Sequence, residues 1–221
     1  VDTITTDGRG IATSKNLYIG TYIVKETARK QNYVLSTKEY EVKVTDNKTS
    51  DPVKTDISDN PVKKKISVTK IDAETGNHCG AGFKFEIVAV GNCTDAAGKE
   101  YKGYEAGSVI ETIVTDENGV ATSSPLYMGD YTIQEVAVPD GATVSINETK
   151  YPFSLRDSKD KDGKLENIKD TDEPMVVPMD DIADTPTTLQ LKKTDAIQKD
   201  EDGNPKNLAG ITFRVKPENA E

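Results

Sequence analysis

Two glutamates in this sequence lie where strand periodicity would place core residues. Alternate residues of a β-strand share one face, and in each of two stretches that face carries two apolar side chains and then a carboxylate. The two sets are Tyr131, Ile133 and Glu135, and Tyr22, Val24 and Glu26. One such carboxylate can simply mark the end of a strand. Two carboxylates at equivalent places indicate a role.

Lysine and aspartate also fall on apolar faces by the same alternation. The lysines are Lys70, after Ile66 and Val68, and Lys193, after Leu189 and Leu191; the aspartates are Asp184, after Ile182, and Asp59, after Ile57. There are thus two sets of three residues: Lys70, Glu135 and Asp184, and Lys193, Glu26 and Asp59. Each set directs a lysine, a glutamate and an aspartate from separate strands into one core.

A lysine buried beside carboxyls has chemistry available beyond ion pairing. Burying unpaired charges is costly, and desolvation favours the neutral forms of both an amine and a carboxylic acid. A neutral amine is the form that attacks a carboxyl carbon. A buried salt-bridge network, or strand-end side chains that reach solvent, would fit the same alternation, and the pattern alone does not separate these interpretations.

The segments that must position these residues recur along the chain, as internal repeats. Thr5–Ala28 aligns without gaps on Val114–Ala137, Ile66–Gly76 resembles Leu189–Lys199, and Asp56–Pro61 resembles Asp181–Pro186. Residues 63–186 hold every piece in order and are predicted to form a complete domain. Residues 1–62 hold only the later pieces and residues 187–221 only the opening ones. They are predicted to be the C-terminal and N-terminal parts of further domains, so that the segment starts and stops in mid-domain.

Composition favours an all-β fold of sandwich type. Short runs of Thr, Val, Ile and Tyr alternate with clusters of Gly, Asp, Asn and Pro, as in β-sandwiches. The net charge is −10 with both signs spread along the chain, which argues against nucleic acid as a partner. No apolar run is long enough to cross a membrane. With a single histidine, neither a metal site nor a cofactor nor hydrolase chemistry is expected.

The motifs as a set resemble a known family. VTKIDAETG, NPKNLAGITFRV, TDENG, GDYTIQEVAVP and DIADTP are similar to the collagen-adhesin B-type (CnaB, prealbumin-like) repeats of Gram-positive surface proteins and pilins. The resemblance covers essentially the whole chain. It implies tandem Ig-like, prealbumin-like β-sandwiches.

The resemblance also implies roles for the alternating residues. In that family the first-strand lysine forms an intramolecular isopeptide bond with an Asn or Asp near the last strand, and the glutamate carries protons. Carried over, Lys70 is the nucleophile, Asp184 the acyl partner and Glu135 the catalyst; the divided domain would use Lys193, Asp59 and Glu26. Asn60 is offset by one position, so Asp59 is preferred. The family's proline after the glutamate is absent at Arg29-Lys30-Gln31, so the course of that loop is not predicted.

The two cysteines flank one apolar run. Cys79 and Cys93 bracket Phe83–Val90. Because the protein is expected to be extracellular, a disulfide between them is predicted, with free thiols as the alternative.

The leading functional hypothesis is a structural stalk segment of a surface, pilus or filament protein of a Gram-positive-type bacterium, at the cell surface, in the cell wall or secreted. Catalysis would be limited to one self-modifying event. The half-domains are expected to complete one another head-to-tail between copies, by donor-strand complementation. A continuous array cut at one period is the alternative. A second hypothesis is an adhesin module that binds a host matrix or partner protein.

Overall fold

The computed structural model describes residues 2–46, 52–142, 144–186 and 189–216. The chain divides into two compact units, Val1–Thr185 and Pro186–Glu221. The ends of the predicted parts 1–62 and 187–221 include residues outside the described ranges. The division into one complete domain and two partial domains stays a prediction. Below, residues 1–62 are called the head and residues 187–221 the tail.

Two sheets form the complete domain. One is built around β3 (Lys63–Asp72), which pairs in parallel with β10 (Val176–Pro178) and β11 (Ile182–Asp184) and antiparallel with β6 (Val120–Thr122) and β7 (Leu126–Tyr127). The other has the order β5-β4-β8-β9, with β5 Val109–Val114, β4 Lys84–Ala89, β8 Gly129–Ala137 and β9 Lys150–Leu155. The two-sheet all-β architecture agrees with the sandwich predicted from the sequence.

The core lies on the faces that the period-two pattern selects. Along β3 every second side chain is buried, from Lys64 to Lys70, and along β8 the buried positions include Tyr131, Ile133 and Glu135. Strand alternation thus buries charged side chains together with apolar ones. The position of a charge in this core follows from the register of its strand.

The head contains one two-stranded antiparallel sheet, formed by β1 (Gly20–Lys25) and β2 (Glu39–Val44). Its apolar positions are far more exposed than their repeats in the complete domain. The exposed fractions are 37% for Leu17 against 1% for Leu126, 44% for Ile4 against 4% for Ile113, and 42% for Ile57 against 1% for Ile182. The head lacks counterparts of β3 and β4, so one side of its core is uncovered.

The tail contains β12 (Thr194–Lys199) paired with β13 (Pro205–Asn207). Its sequence corresponds to β3, the turn after it and β4, and its apolar residues are exposed where those of the complete domain are buried. The exposed residues are Leu189, Leu191, Ile211, Phe213 and Val215; the buried counterparts are Ile66, Val68, Phe83, Phe85 and Ile87.

A buried ion pair joins the head to the complete domain. Arg29 donates two hydrogen bonds to the Asp157 carboxylate, at 2.7 and 2.8 Å, and further bonds to the carbonyls of Glu166 and Tyr33. The backbone N–H of Asn32 donates to Asp157 Oδ2 at 2.7 Å. The side chains of Arg29 and Asp157 are 1% and 0% exposed. The loop at Arg29-Lys30-Gln31, whose course the sequence did not predict, is therefore held by this ion pair against the acidic segment 156–173.

Asp160 of this acidic segment makes an internal turn. Its Oδ1 accepts the N–H groups of Asp162 and Lys164, both at 2.9 Å. No group of residues suited to a metal ion occurs in the part of the chain that the structure describes.

Replacing Arg29 with alanine is expected to destabilise the head-to-domain joint by about 3–5 kcal/mol, because the Asp157 carboxylate would be left buried and unpaired. Burial alone would raise the pKa of Asp157, but the hydrogen bonds from Arg29 and Asn32 outweigh it, and the pKa lies below its usual value. A group with a lowered pKa contributes stability above its unfolded pKa and loses it in acid. The Arg29–Asp157 ion pair should therefore hold at neutral pH and weaken as the pH falls below about 4. Its contribution should be lost when the pH passes the lowered pKa of Asp157.

The free energy of unfolding, with proteolysis of residues 30–46 as a local measure, tests this prediction. The double variant Arg29→Met with Asp157→Leu is the control, since removing both charges leaves none unpaired. Unchanged stability in Arg29→Ala would contradict the prediction.

The disulfide predicted between Cys79 and Cys93 is wrong, because both cysteines are free. They lie beyond opposite ends of β4: the Cys79 N–H donates to the Lys70 carbonyl, and Cys93 Sγ contacts the Tyr131 hydroxyl at 3.3 Å. A strand the length of β4 spans about 20 Å, whereas a disulfide needs Cα atoms within about 7 Å. Cys93 instead fills a tight core site.

Among the residues that the structure describes, no helix is long and apolar enough to span a membrane.

Candidate functional site: a buried lysine with two carboxyls

Strand β3 fixes Lys70 in the centre of the complete domain. The Lys70 N–H donates to the Gly119 carbonyl at 2.8 Å, and its side chain is 0% exposed. Gly119 has φ +75°, and a Cβ there would lie 3.1 Å from the Lys70 carbonyl oxygen. The tight turn at Gly119 thus requires glycine and packs directly against the lysine backbone. The Lys70 Nζ also lies 5.6 Å from the centre of the Phe83 ring.

Strand β11 brings Asp184 to this lysine. Because β11 runs parallel to β3 with Ile182 opposite Lys70, the Asp184 carboxyl projects into the same part of the core. Lys70 Nζ contacts Asp184 Oδ1 and donates a hydrogen bond to the Ile182 carbonyl at 3.2 Å. The contact to Asp184 does not have regular hydrogen-bond geometry, and neither Asp184 oxygen has another hydrogen-bond partner. The amine nitrogen therefore meets a carboxyl group whose other polar neighbour is the Glu135 carboxyl.

Glu135 lies beside this pair and is 1% exposed. Its Oε2 accepts the Asn147 N–H at 2.7 Å, while Oε1 has no hydrogen-bond partner. Burial raises the pKa of Glu135 to about 7; Asn147 and Lys70 oppose the rise and Asp184 adds to it. At neutral pH both the protonated and the ionised form are populated, as a group that takes up and returns a proton requires.

The three side chains meet the geometric needs of amide formation. An amine nitrogen contacts a carboxyl, a proton carrier lies beside both, and exclusion of water removes competing solvation. Loss of one proton by the neutral lysine amine, and departure of the hydroxyl of the neutral acid with that proton as water, would leave an amide. The roles of Lys70, Asp184 and Glu135 stay predictions, but the structure does bring these residues together.

The head holds the two carboxyls of an equivalent site. Glu26 Oε2 accepts the Ser36 N–H at 2.6 Å, as Glu135 accepts that of Asn147. Burial raises the pKa of Glu26, and the Asp59 and Asp170 carboxylates add to the rise. Asp59 lies at the surface, yet enough protein surrounds its carboxyl for desolvation to raise its pKa too. Asn60, the alternative acyl residue, contributes its backbone carbonyl to Val34.

The lysine predicted for the divided site lies in the tail. Lys193 is exposed, and its carbonyl accepts the Leu208 N–H at 3.0 Å. The same bond joins Lys70 to Cys79 in the complete domain, at 2.9 Å.

Sequence reasoning missed the residues that support the site. No sequence pattern selects Asn147, and Asp170 of the complete domain lies beside Glu26 and Asp59 of the head. The spacing from each glutamate to its backbone donor differs, with Ser36 ten residues on and Asn147 twelve. No fixed sequence offset could therefore have identified them.

The fold and this constellation define a prealbumin-like sandwich repeat with a buried lysine and two carboxyls. The family model of the SpaA prealbumin-like fold domain matches residues 1–60 and 64–170. The chain belongs to this family, which confirms the resemblance inferred from the motifs. No curated protein matches the chain significantly.

Solved structures similar to the chain include three bacterial proteins. The Bacillus anthracis TIE protein has 27% identity and a TM-score of 0.53, covering 83% of this chain and 28% of that one. BcpA, the major pilin subunit of Bacillus cereus, has 22% identity and a TM-score of 0.33, covering 57% of this chain and 31% of that one. The major pilin SpaD of Corynebacterium diphtheriae has 18% identity and a TM-score of 0.34, with 60% and 31% covered. The chain spans less than a third of the length of each.

Proposed function

We propose that this chain is a stalk segment of a bacterial surface or pilus protein, stiffened by an isopeptide bond that forms spontaneously between Lys70 and Asp184. The observation that carries the proposal is the buried contact of Lys70 Nζ with a carboxyl that no amide or hydroxyl donor holds, beside a glutamate with a pKa of about 7. A salt bridge selected for stability would have its carboxylate oxygens hydrogen-bonded. Membership of the prealbumin-like family supports the stalk role and the location outside the cell.

The catalysis in this proposal is a single event and not turnover. In the neutral form of the pair, the Lys70 amine attacks the Asp184 carboxyl carbon, and Glu135 accepts one proton from the nitrogen. Glu135 returns this proton to the departing Asp184 hydroxyl group, which leaves as water. The nucleophile is consumed in the product, so the chain acts on itself once.

The proposal extends to the two partial domains. The tail exposes the apolar residues whose counterparts cover the core in the complete domain, and the head exposes the core that such residues would cover. Full burial of each large apolar side chain contributes about 1.5–3 kcal/mol. The tail of one copy would therefore add its strands to the head of another and bring Lys193 to Glu26 and Asp59.

Intact mass tests the bond in the complete domain. The parent chain should be lighter than its sequence by at least one water, and a digest should contain a branched peptide that joins Lys70 to Asp184. Lys70→Arg should have the full mass of its sequence, with no water lost, because a guanidinium is not deprotonated in proteins. Lys64→Arg is the matched control: Lys64 is buried on the same strand face but donates to Ser158. A parent chain of full mass would refute the proposal.

A further inference from the structure

We infer that Asn147 is a positioning residue for the Lys70–Asp184 reaction. Its backbone N–H holds Glu135, and its side chain holds β11, the strand that carries Asp184. The inference rests on the proposed function and adds a residue to it. Asn147 lies in the loop between β8 and β9 and is half-buried.

Strand β11, which carries Asp184, needs a support that the sheets do not supply. Strand β11 has three residues, lies at the edge of its sheet and pairs only with β3 among the described strands. Because no amide or hydroxyl donor holds the Asp184 oxygens, the position of the carboxyl depends on its backbone. The Asp184 carbonyl accepts the Ala73 N–H at 2.8 Å on the β3 side.

Asn147 holds the outer side of the same strand. Its Nδ2 donates to the Ala183 carbonyl at 3.0 Å, one residue before Asp184. The same Nδ2 donates to the Tyr151 hydroxyl at 2.8 Å, and Oδ1 accepts the Thr149 N–H at 3.0 Å. The amide is therefore anchored on its own loop through Thr149 and on β9 through Tyr151, and its bond to Ala183 takes the place of a neighbouring strand.

The backbone of Asn147 holds the second reactant. Its N–H donates to Glu135 Oε2 at 2.7 Å, which leaves Oε1 without a partner. Glu135 and the strand of Asp184 are thus fixed through one residue, so their separation is set by the geometry of that residue. Misplacement of reacting groups by about 1 Å can slow a reaction by roughly 100-fold.

The test measures the rate of bond formation between Lys70 and Asp184 in the 221-residue chain. Cell-free synthesis is stopped, samples are denatured at intervals, and the fraction that has lost one water is followed by mass. Asn147→Ala removes the side-chain bonds but keeps the backbone N–H, and it should slow linking about 10- to 100-fold. Asn147→Asp keeps Oδ1 for Thr149 but loses the donor to Ala183, and it should slow linking similarly.

Further measurements separate positioning from a general effect on folding. The rate–pH profile of Asn147→Ala should keep the midpoint of the parent, because the N–H to Glu135 remains, and the linked variant should unfold near the parent temperature. Asn92→Asp makes the same exchange at an exposed asparagine in the segment that follows β4. This variant should link at the parent rate.

Each alternative outcome overturns a defined claim. If Asn147→Ala links as fast as the parent, or only as slowly as its unfolded fraction requires, the inference is wrong while the proposed function stands. If only Asn147→Asp is slow, the new charge beside Glu135 is the cause and the positioning role is again wrong. If the parent never loses water, the proposed function fails and the inference fails with it.

Discussion

A chain carrying Glu135→Ala is expected to fold but to stay unlinked, and to unfold well below the temperature of the parent chain. Without Glu135 the reacting pair loses the separate carboxyl that accepts the proton of the attacking nitrogen, because Asp184 is itself the group under attack. The bond would close a loop that spans nearly the whole complete domain. By analogy with disulfides that close loops on the order of 100 residues, its entropic contribution is about 4–5 kcal/mol. Calorimetry of the two chains, with intact mass to score linkage, measures the difference.

Two further variants show whether the effect belongs to the bond. Glu135→Gln is isosteric and should also stay unlinked, whereas Lys70→Arg should match Glu135→Ala in mass and in lowered stability. In the parent, linking should slow as pH falls below 7, because burial raises the pKa of Glu135 to about 7 and the protonated acid accepts no proton. Equal unfolding temperatures for the parent and Lys70→Arg would show that no restraining bond forms.

The 221-residue chain at high concentration is expected to form covalent multiples that survive boiling in detergent, and Lys193→Ala should reduce them to a single monomer band. The head presents Glu26 and Asp59 with raised pKa values, and the tail presents an exposed lysine between apolar residues. Insertion of the tail of one copy into the head of another would bury these groups together and favour the amide. Electrophoresis over a concentration series shows the multiples.

Neighbouring residues supply the controls. Lys192→Ala removes the adjacent exposed lysine, which has the opposite strand parity, and should leave the multiples intact. Asp59→Ala should abolish them, as Lys193→Ala does, if Asp59 is the acyl partner. A monomer band at every concentration, with no peptide joining Lys193 to Asp59, would rule out welding between chains. It would favour the alternative in which the three residues react within one continuous array.

The sequence alone was sufficient to predict the all-β class and the family, and it selected the residues that meet in the core. Strand alternation has a period of two, so apolar neighbours reveal which face a charged residue shares. Lys70, Glu135 and Asp184 were identified in this way, and all three are buried in contact or close proximity. The internal repeat then transferred the pattern to Glu26 and Asp59.

Other features were decided only by the tertiary structure, because they depend on distances between segments far apart in the chain. The spacing of Cys79 and Cys93 suggested a disulfide, but the extended strand between them holds the thiols apart. Arg29 meets Asp157 across more than a hundred residues, at a loop where the family pattern is broken. Asn147 gains its contacts from the fold of its loop against two strands. Local periodicity determines which face a side chain occupies, and only packing determines what that side chain meets.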